Sequence, residues 1–154
     1  DIQVSSNFER ALFDAYGRDG AAVAQAMADL KATGRFTISQ GALEGLRELF
    51  ASGRASEDET AATITRIRAQ TGEILCPHSA VGVHVAETHL GAAPMVTLAT
   101  AHPAKFPAAV EAATGIHPAL PPHMADLFDR PERLTRLPGD LAAVQALIKD
   151  RRRA

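Results

Sequence analysis

Tryptophan is absent from these 154 residues, and tyrosine and cysteine occur once each. One thiol, Cys76, cannot close an internal disulfide or supply the paired ligands of a zinc ribbon, so a reducing compartment is the default expectation. No stretch approaches the roughly 18 apolar residues of a membrane span, and no basic-then-apolar leader opens the chain, so the sequence reads as soluble and cytoplasmic. Charge of one sign is missing as well: 16 Lys and Arg stand against 18 Asp and Glu, a formal net charge of −2. That balance provides no field for tracking phosphates and argues against nucleic acid or a membrane as partner.

What is present is alanine, 31 residues of it, which fills little volume and favours helices, so the core is expected to be thin and helical. The length fits a single segment over 1–154. The opening run Asp1-Ile2-Gln3-Val4 has no initiator methionine and reads like the middle of a polypeptide.

Cap signals divide the chain into helices. Ser6 with Glu9 has capping-box spacing before a helix over about 7–16. Asp19 opens a second helix that Gly34 ends, and Ser39 opens a third that Gly53 ends, with Leu43, Leu46, Leu49 and Phe50 inward. Ser56 and Glu59 repeat the capping box before a longer helix closed by Gly72, and the acidic run Glu57-Asp58-Glu59 suits the positive end of that helix better than a metal. Pro77 suits the first position of a helix ended by Gly91. A short helix follows over about 108–114. Prolines 118, 121, 122, 131 and 138 make the next stretch mostly connection, with a turn of helix around 124–128. Asp140 caps a last helix with Leu141, Val144, Leu147 and Ile148 on its inner face.

The apolar run Pro94-Met95-Val96-Thr97-Leu98-Ala99 predicts one central buried strand, because it lacks the polar alternation of a half-exposed one. Ile2–Ser5 and Phe36–Ile38 are candidates for short accessory strands. So little strand cannot complete a sheet, and the expectation is that the rest comes from residues outside this sequence or from a partner chain.

Among residues that could carry chemistry, the six histidines fail the spacing test for a metal. His84 and His89 diverge by roughly 140° around a helix, and no HExxH pattern occurs. Lys105 could act as a Schiff-base amine only from a desolvated site; otherwise it is a solvated or anchoring lysine on a turn. Cys76 is either a small capping or packing residue or a thiol activated by the helix that follows. Thr100 stands at the carboxyl end of the expected strand, where open α/β sheets gather ligand contacts. Its hydroxyl has two open uses: a ligand contact, or satisfying its own turn.

Three runs then act together: Asp1-Ile2-Gln3-Val4-Ser5-Ser6-Asn7-Phe8-Glu9-Arg10, Cys76-Pro77-His78-Ser79-Ala80-Val81-Gly82 and Ala99-Thr100-Ala101-His102-Pro103-Ala104-Lys105-Phe106. In that order and spacing the chain resembles the C-terminal portion of the threonine synthase family. The resemblance implies an α/β fold of the tryptophan-synthase-β type that binds pyridoxal phosphate (PLP), of which this chain is a mostly helical part. It implies conversion of O-phospho-L-homoserine and water to L-threonine and phosphate, by an enzyme whose Schiff-base lysine and phosphate loop lie in an N-terminal part absent from this chain. The chain alone is therefore expected to be inactive. Thr100 matches the hydroxyl that faces the cofactor's pyridine nitrogen in fold relatives, His102 and Lys105 are expected to line or brace the site, and Lys105 does not match the Schiff-base motif. The family normally has Asp before the proline where this chain has Cys76. The alternatives are a fragment of a serine or threonine dehydratase-like PLP enzyme, and a non-catalytic helical interaction module.

Overall fold

The structure is a computed structural model that describes residues 5–152. Within that range seven α-helices and two 3₁₀ turns follow one another: α1 Ser6–Ala15, α2 Gly20–Thr33, α3 Gln40–Leu49, α4 Glu57–Thr71, α5 Pro77–Glu87, a 3₁₀ turn Pro103–Lys105, α6 Pro107–Thr114, a 3₁₀ turn Pro122–Met124, and α7 Leu141–Arg151. The chain divides into one unit ending at Pro118 and another beginning at Ala119. None of the described helices is long and apolar enough to cross a membrane.

Local chemistry accounts for most helix ends. The Asp19 carboxylate accepts from the amides of Ala21 and Ala22, and Gly34 closes α2 at φ 76°, a conformation glycine adopts without steric penalty. At α4 the Ser56 hydroxyl accepts from the Glu59 amide while the Glu59 carboxylate accepts from the Ser56 amide, a complete capping box. Asp140 caps α7 through the Ala143 amide. Ser39 stands at the α3 cap without a side-chain bond.

Several expectations need correction. α1 begins one residue early, with Ser5 rather than Ser6 as its cap, because the amides of Phe8 and Glu9 both reach the Ser5 carbonyl. α3 stops at Phe50, which turns to extended backbone, so Gly53 ends no helix. Gly53 instead meets α5: a Cβ there would stand 2.7 Å from Val85 Cγ1. Leu49 and Phe50 are exposed rather than inward. α5 ends at Glu87, because the Thr88 and His89 amides take the Val85 and Ala86 carbonyls in tight turns, leaving Gly91 beyond the helix. The expected turn at 124–128 starts earlier, at Pro122. α7 buries no residue, so its four apolar positions form no inner face within the described chain.

The largest correction concerns the strands: there is none among the described residues. The run 94–99 has no ladder partner, and Val96 and Leu98 are 78% and 75% exposed. A strand exists only through its partners, and continuous apolarity records a preference for cover without supplying it. Phe36–Ile38 is unpaired for the same reason. Of Ile2–Ser5, only Ser5 is described, and it is a helix cap; the remainder lies outside the described residues.

In the first unit α1 packs on α2 and α3, and α4 packs on α5 and α6. Leu12, Val23, Ala26 and Ala42 are buried in the first group, and Ile64, Cys76, Ala80 and Val110 in the second. Three of these eight are alanine, as the composition leads one to expect.

The α4 cap also predicts an acid response. The Ser56 amide, then its hydroxyl, hold the Glu59 carboxyl below the usual carboxylate range against slight desolvation, and His84 and Arg54 add to the effect. A carboxyl whose folded value is depressed stabilises the fold above the unfolded-state value, and that contribution is lost as pH falls through the folded-state value. Glu59→Gln is expected to flatten this part of the acid arm of a stability-against-pH curve, measured by denaturant titration at successive pH values.

Candidate functional site

Two of the residues singled out in sequence, Cys76 and Thr100, meet Ser79 where the N-terminus of α5 approaches the end of the 94–99 run. Pro77 occupies the first turn of α5, where its missing amide hydrogen costs nothing. Cys76 is the cap: its Sγ accepts from the Ser79 amide at 3.3 Å. The thiol is 1% exposed, which makes it a buried capping residue rather than an accessible nucleophile. Sulfur is a weaker acceptor than a carboxylate oxygen, yet it serves the start of this helix.

Ser79 is buried beside it. Its Oγ lies 3.1 Å from Cys76 Sγ and accepts the Thr100 amide at 3.2 Å. One turn further along α5, a Cβ on Gly82 would come within 3.2 Å of Thr97 Cγ2. The run therefore passes back along α5, held at Thr100 and closely approached at Thr97.

The Thr100 hydroxyl behaves unlike those of threonines in helical turns. Thr60, Thr63 and Thr114 each return the hydroxyl to a carbonyl four residues earlier, the usual local use of this side chain. No described residue engages the Thr100 hydroxyl; only its amide is bonded. Thr100 is exposed, so its oxygen is free to meet something outside the described chain.

The next turn is braced from two sides. His102 caps the 3₁₀ turn through Nδ1, which accepts the Ala104 amide at 3.2 Å. An accepting Nδ1 requires the tautomer with its hydrogen on Nε2, which leaves that hydrogen available as a donor. The His78 ring meets Phe106 edge-on at 4.8 Å, so consecutive residues of α5 hold both ends of the 100–106 turn. Lys105 is exposed, with Nζ 5.7 Å from the centre of the Phe106 ring. Such contacts are worth about 0.5–1 kcal/mol at exposed positions, and Lys105 has none of the burial that a reactive amine needs.

The site thus brings together Cys76, Ser79 and Thr100, and separately His78, Lys105 and Phe106. His78, Ser79 and Gly82 are legible in sequence only as members of the run 76–82, because Phe106, Thr100 and Thr97, which give them meaning, lie more than a dozen residues away. Among the described residues, no group of three or more His, Cys, Asp or Glu is arranged to hold a metal ion.

Comparison with known proteins points in one direction. Residues 79–148 match the family model described as "Threonine synthase, C-terminal". The chain is 50% identical to threonine synthase of Pseudomonas aeruginosa over 151 residues, covering 96% of this chain and 32% of that protein. It is 34% identical to threonine synthase of Corynebacterium glutamicum over 155 residues, with 97% and 32% coverage. Among solved structures, PLP-bound threonine synthase from Brucella melitensis superposes with a TM-score of 0.72 at 52% identity, covering all of this chain and 33% of that one. Yeast threonine synthase superposes with a TM-score of 0.64 at 30% identity, over 97% of this chain and 34% of that one. The chain spans about a third of the length of the curated relatives it matches.

Proposed function

The chain belongs to the threonine synthase family, matching its C-terminal portion, and from that premise we propose that it completes the cofactor site of a PLP-dependent lyase. The reaction is the conversion of O-phospho-L-homoserine and water to L-threonine and phosphate, carried out in the cytoplasm. The whole of 1–154 works as a single C-terminal segment, and its partner is the N-terminal part of the same protein. That part carries the covalent anchor for the cofactor and most contacts to both phosphates. The chain by itself is inactive.

The observation that carries this reading is the state of Thr100: its amide is tied to a buried serine, and its hydroxyl is left unengaged by the described chain. A side chain so fixed at one end and free at the other suits a polar ligand atom. Bound PLP supplies the electron sink for carbanion chemistry at the substrate. The Thr100 hydroxyl would hold its ring nitrogen as a hydrogen-bond donor. A neutral hydroxyl does not hold that nitrogen as a full cation in the way a carboxylate does, so it tempers the electron withdrawal of the ring. His102 fixes the shape of the turn through Nδ1, which leaves its Nε2 hydrogen available as a donor, and Lys105 adds positive charge beside it.

The relatives compared above are threonine synthases, which does not favour either the dehydratase reading or the stand-alone module. The test is to assay the full-length protein with O-phosphohomoserine for both inorganic phosphate and threonine, beside 1–154 alone. Equimolar phosphate and threonine from the full-length protein, and neither from the isolated chain, is the expected result. Deamination of serine or threonine without phosphate release would overturn the proposal.

A further inference from the structure

We infer that Ser79 and Gly82, one turn apart on α5, are positioning residues that set the Thr100 hydroxyl toward the cofactor ring. This rests on the reading of Thr100 proposed above and extends it to residues that touch neither cofactor nor substrate.

Ser79 is 2% exposed, and the bonds of its side chain lie within the protein. Its oxygen accepts the Thr100 amide at 3.2 Å and lies 3.1 Å from Cys76 Sγ. The same Sγ accepts the Ser79 amide. Cys76 therefore orients Ser79 twice over, through backbone and side chain, and Ser79 passes that orientation to the Thr100 backbone. A buried hydroxyl whose hydrogen-bonding capacity is used in this way has little freedom to rotate.

Gly82 supplies the second point. Its missing Cβ leaves room for Thr97, whose Cγ2 would stand 3.2 Å from an added methyl. That separation is tight enough that Thr97 would have to move by a few tenths of an ångström. The two contacts fix the run at Thr97 and Thr100, so the direction of the Thr100 side chain follows from its backbone. The run makes no ladder within the described chain, so these anchors stand in for the pairing that would otherwise fix its register.

The experiment uses the full-length holoenzyme with Ser79→Ala, Ser79→Thr, Gly82→Ala and, in parallel, Thr100→Ala. Ser79→Ala is expected to speed hydrogen exchange at the Thr100 amide by about tenfold and lower kcat by about tenfold, the scale of one lost hydrogen bond. It should leave KM for O-phosphohomoserine within about twofold, because uniform substrate binding is untouched. It should also move the visible band of the bound cofactor in the same direction as Thr100→Ala. Ser79→Thr keeps the hydroxyl and should restore exchange and band. Gly82→Ala keeps the Ser79 bond and should move the band less, which decides the matter even if Ser79→Ala fails to fold. If Thr100→Ala shifts band and kcat while Ser79→Ala and Gly82→Ala leave both unchanged, the positioning role is overturned and the reading of Thr100 stands. If Thr100→Ala itself changes neither, that reading falls and this inference with it.

Discussion

Replacing Thr100 by alanine in the full-length enzyme is expected to lower kcat by about tenfold, and replacing it by aspartate to lower kcat further and displace the cofactor's visible absorption. The first figure is the rate equivalent of about 1.4 kcal/mol, the upper part of the range for one net hydrogen bond. The aspartate effect is larger because a carboxylate bond to a protonated ring nitrogen is charge-assisted and roughly twice as strong as a neutral one. Holding that nitrogen as a cation increases the electron demand of the ring, which alters the balance of proton transfers at the substrate rather than merely weakening binding. The two substitutions therefore differ in kind, and a spectrum together with steady-state kinetics separates them. Serine keeps the hydroxyl and should retain most of the activity. Unchanged absorbance and turnover in both the alanine and aspartate variants would remove Thr100 from the site.

The second large effect concerns the frame that carries Ser79. Ile64 lies on α4, the helix packed against both α5 and α6, and is 1% exposed. Ile64→Ala is expected to cost about 2–5 kcal/mol of unfolding free energy, from lost transfer energy and the cavity left behind. Ile64→Val should cost only about 1 kcal/mol, because it removes a single methylene. The measurement is urea unfolding of the full-length protein, followed by a signal from this region such as hydrogen exchange across α4 and α5. A thin core sharpens the prediction: with small residues around it, little side-chain volume is available to collapse into the space. A loss below about 0.5 kcal/mol, the range of surface substitutions, would show that α4 is not the centre of this packing group.

How much of this was legible in sequence follows from the range of the interactions involved. Asp19, Ser56 with Glu59, Asp140, Gly34 and Gly72 act on amides or backbone angles within a few residues, and the structure uses each as the sequence implies. Ser6 was displaced by Ser5 because two adjacent serines offer the same chemistry, and the backbone bonds decide between them. Gly53 and Gly91 look like stops to a local reading, yet the helices before them close at Phe50 and Thr88 through their own carbonyls. The expected strand at 94–99 fails for a different reason. Apolar composition records what a segment prefers to touch, whereas a strand exists only through ladder partners, and the described residues offer this run none. The same limit hides Ser79 and Gly82. Their meaning is set by Thr100 and Thr97, and no periodicity within α5 indicates that a hydroxyl at one position and a missing methyl at the other serve the same run.

Thr100, by contrast, could be found from sequence as the residue that follows that apolar run. Whether its hydroxyl serves its own turn depends on the local backbone, and the structure leaves that hydroxyl unengaged by the described chain while Thr60, Thr63 and Thr114 return theirs to carbonyls four residues earlier. Lys105 follows the same pattern. Sequence placed it on the turn, and the structure adds that it is exposed above Phe106.

The most direct test of the central claim, that this chain completes a cofactor site whose covalent anchor lies elsewhere in the protein, is borohydride reduction of the PLP-loaded full-length enzyme followed by peptide mapping. The chain holds three lysines, Lys31, Lys105 and Lys149, so the mapping is unambiguous. The account predicts one pyridoxyl-lysine per protomer at a residue outside this chain, with no stoichiometric label on any of the three. A stoichiometric adduct at Lys105 would contradict it.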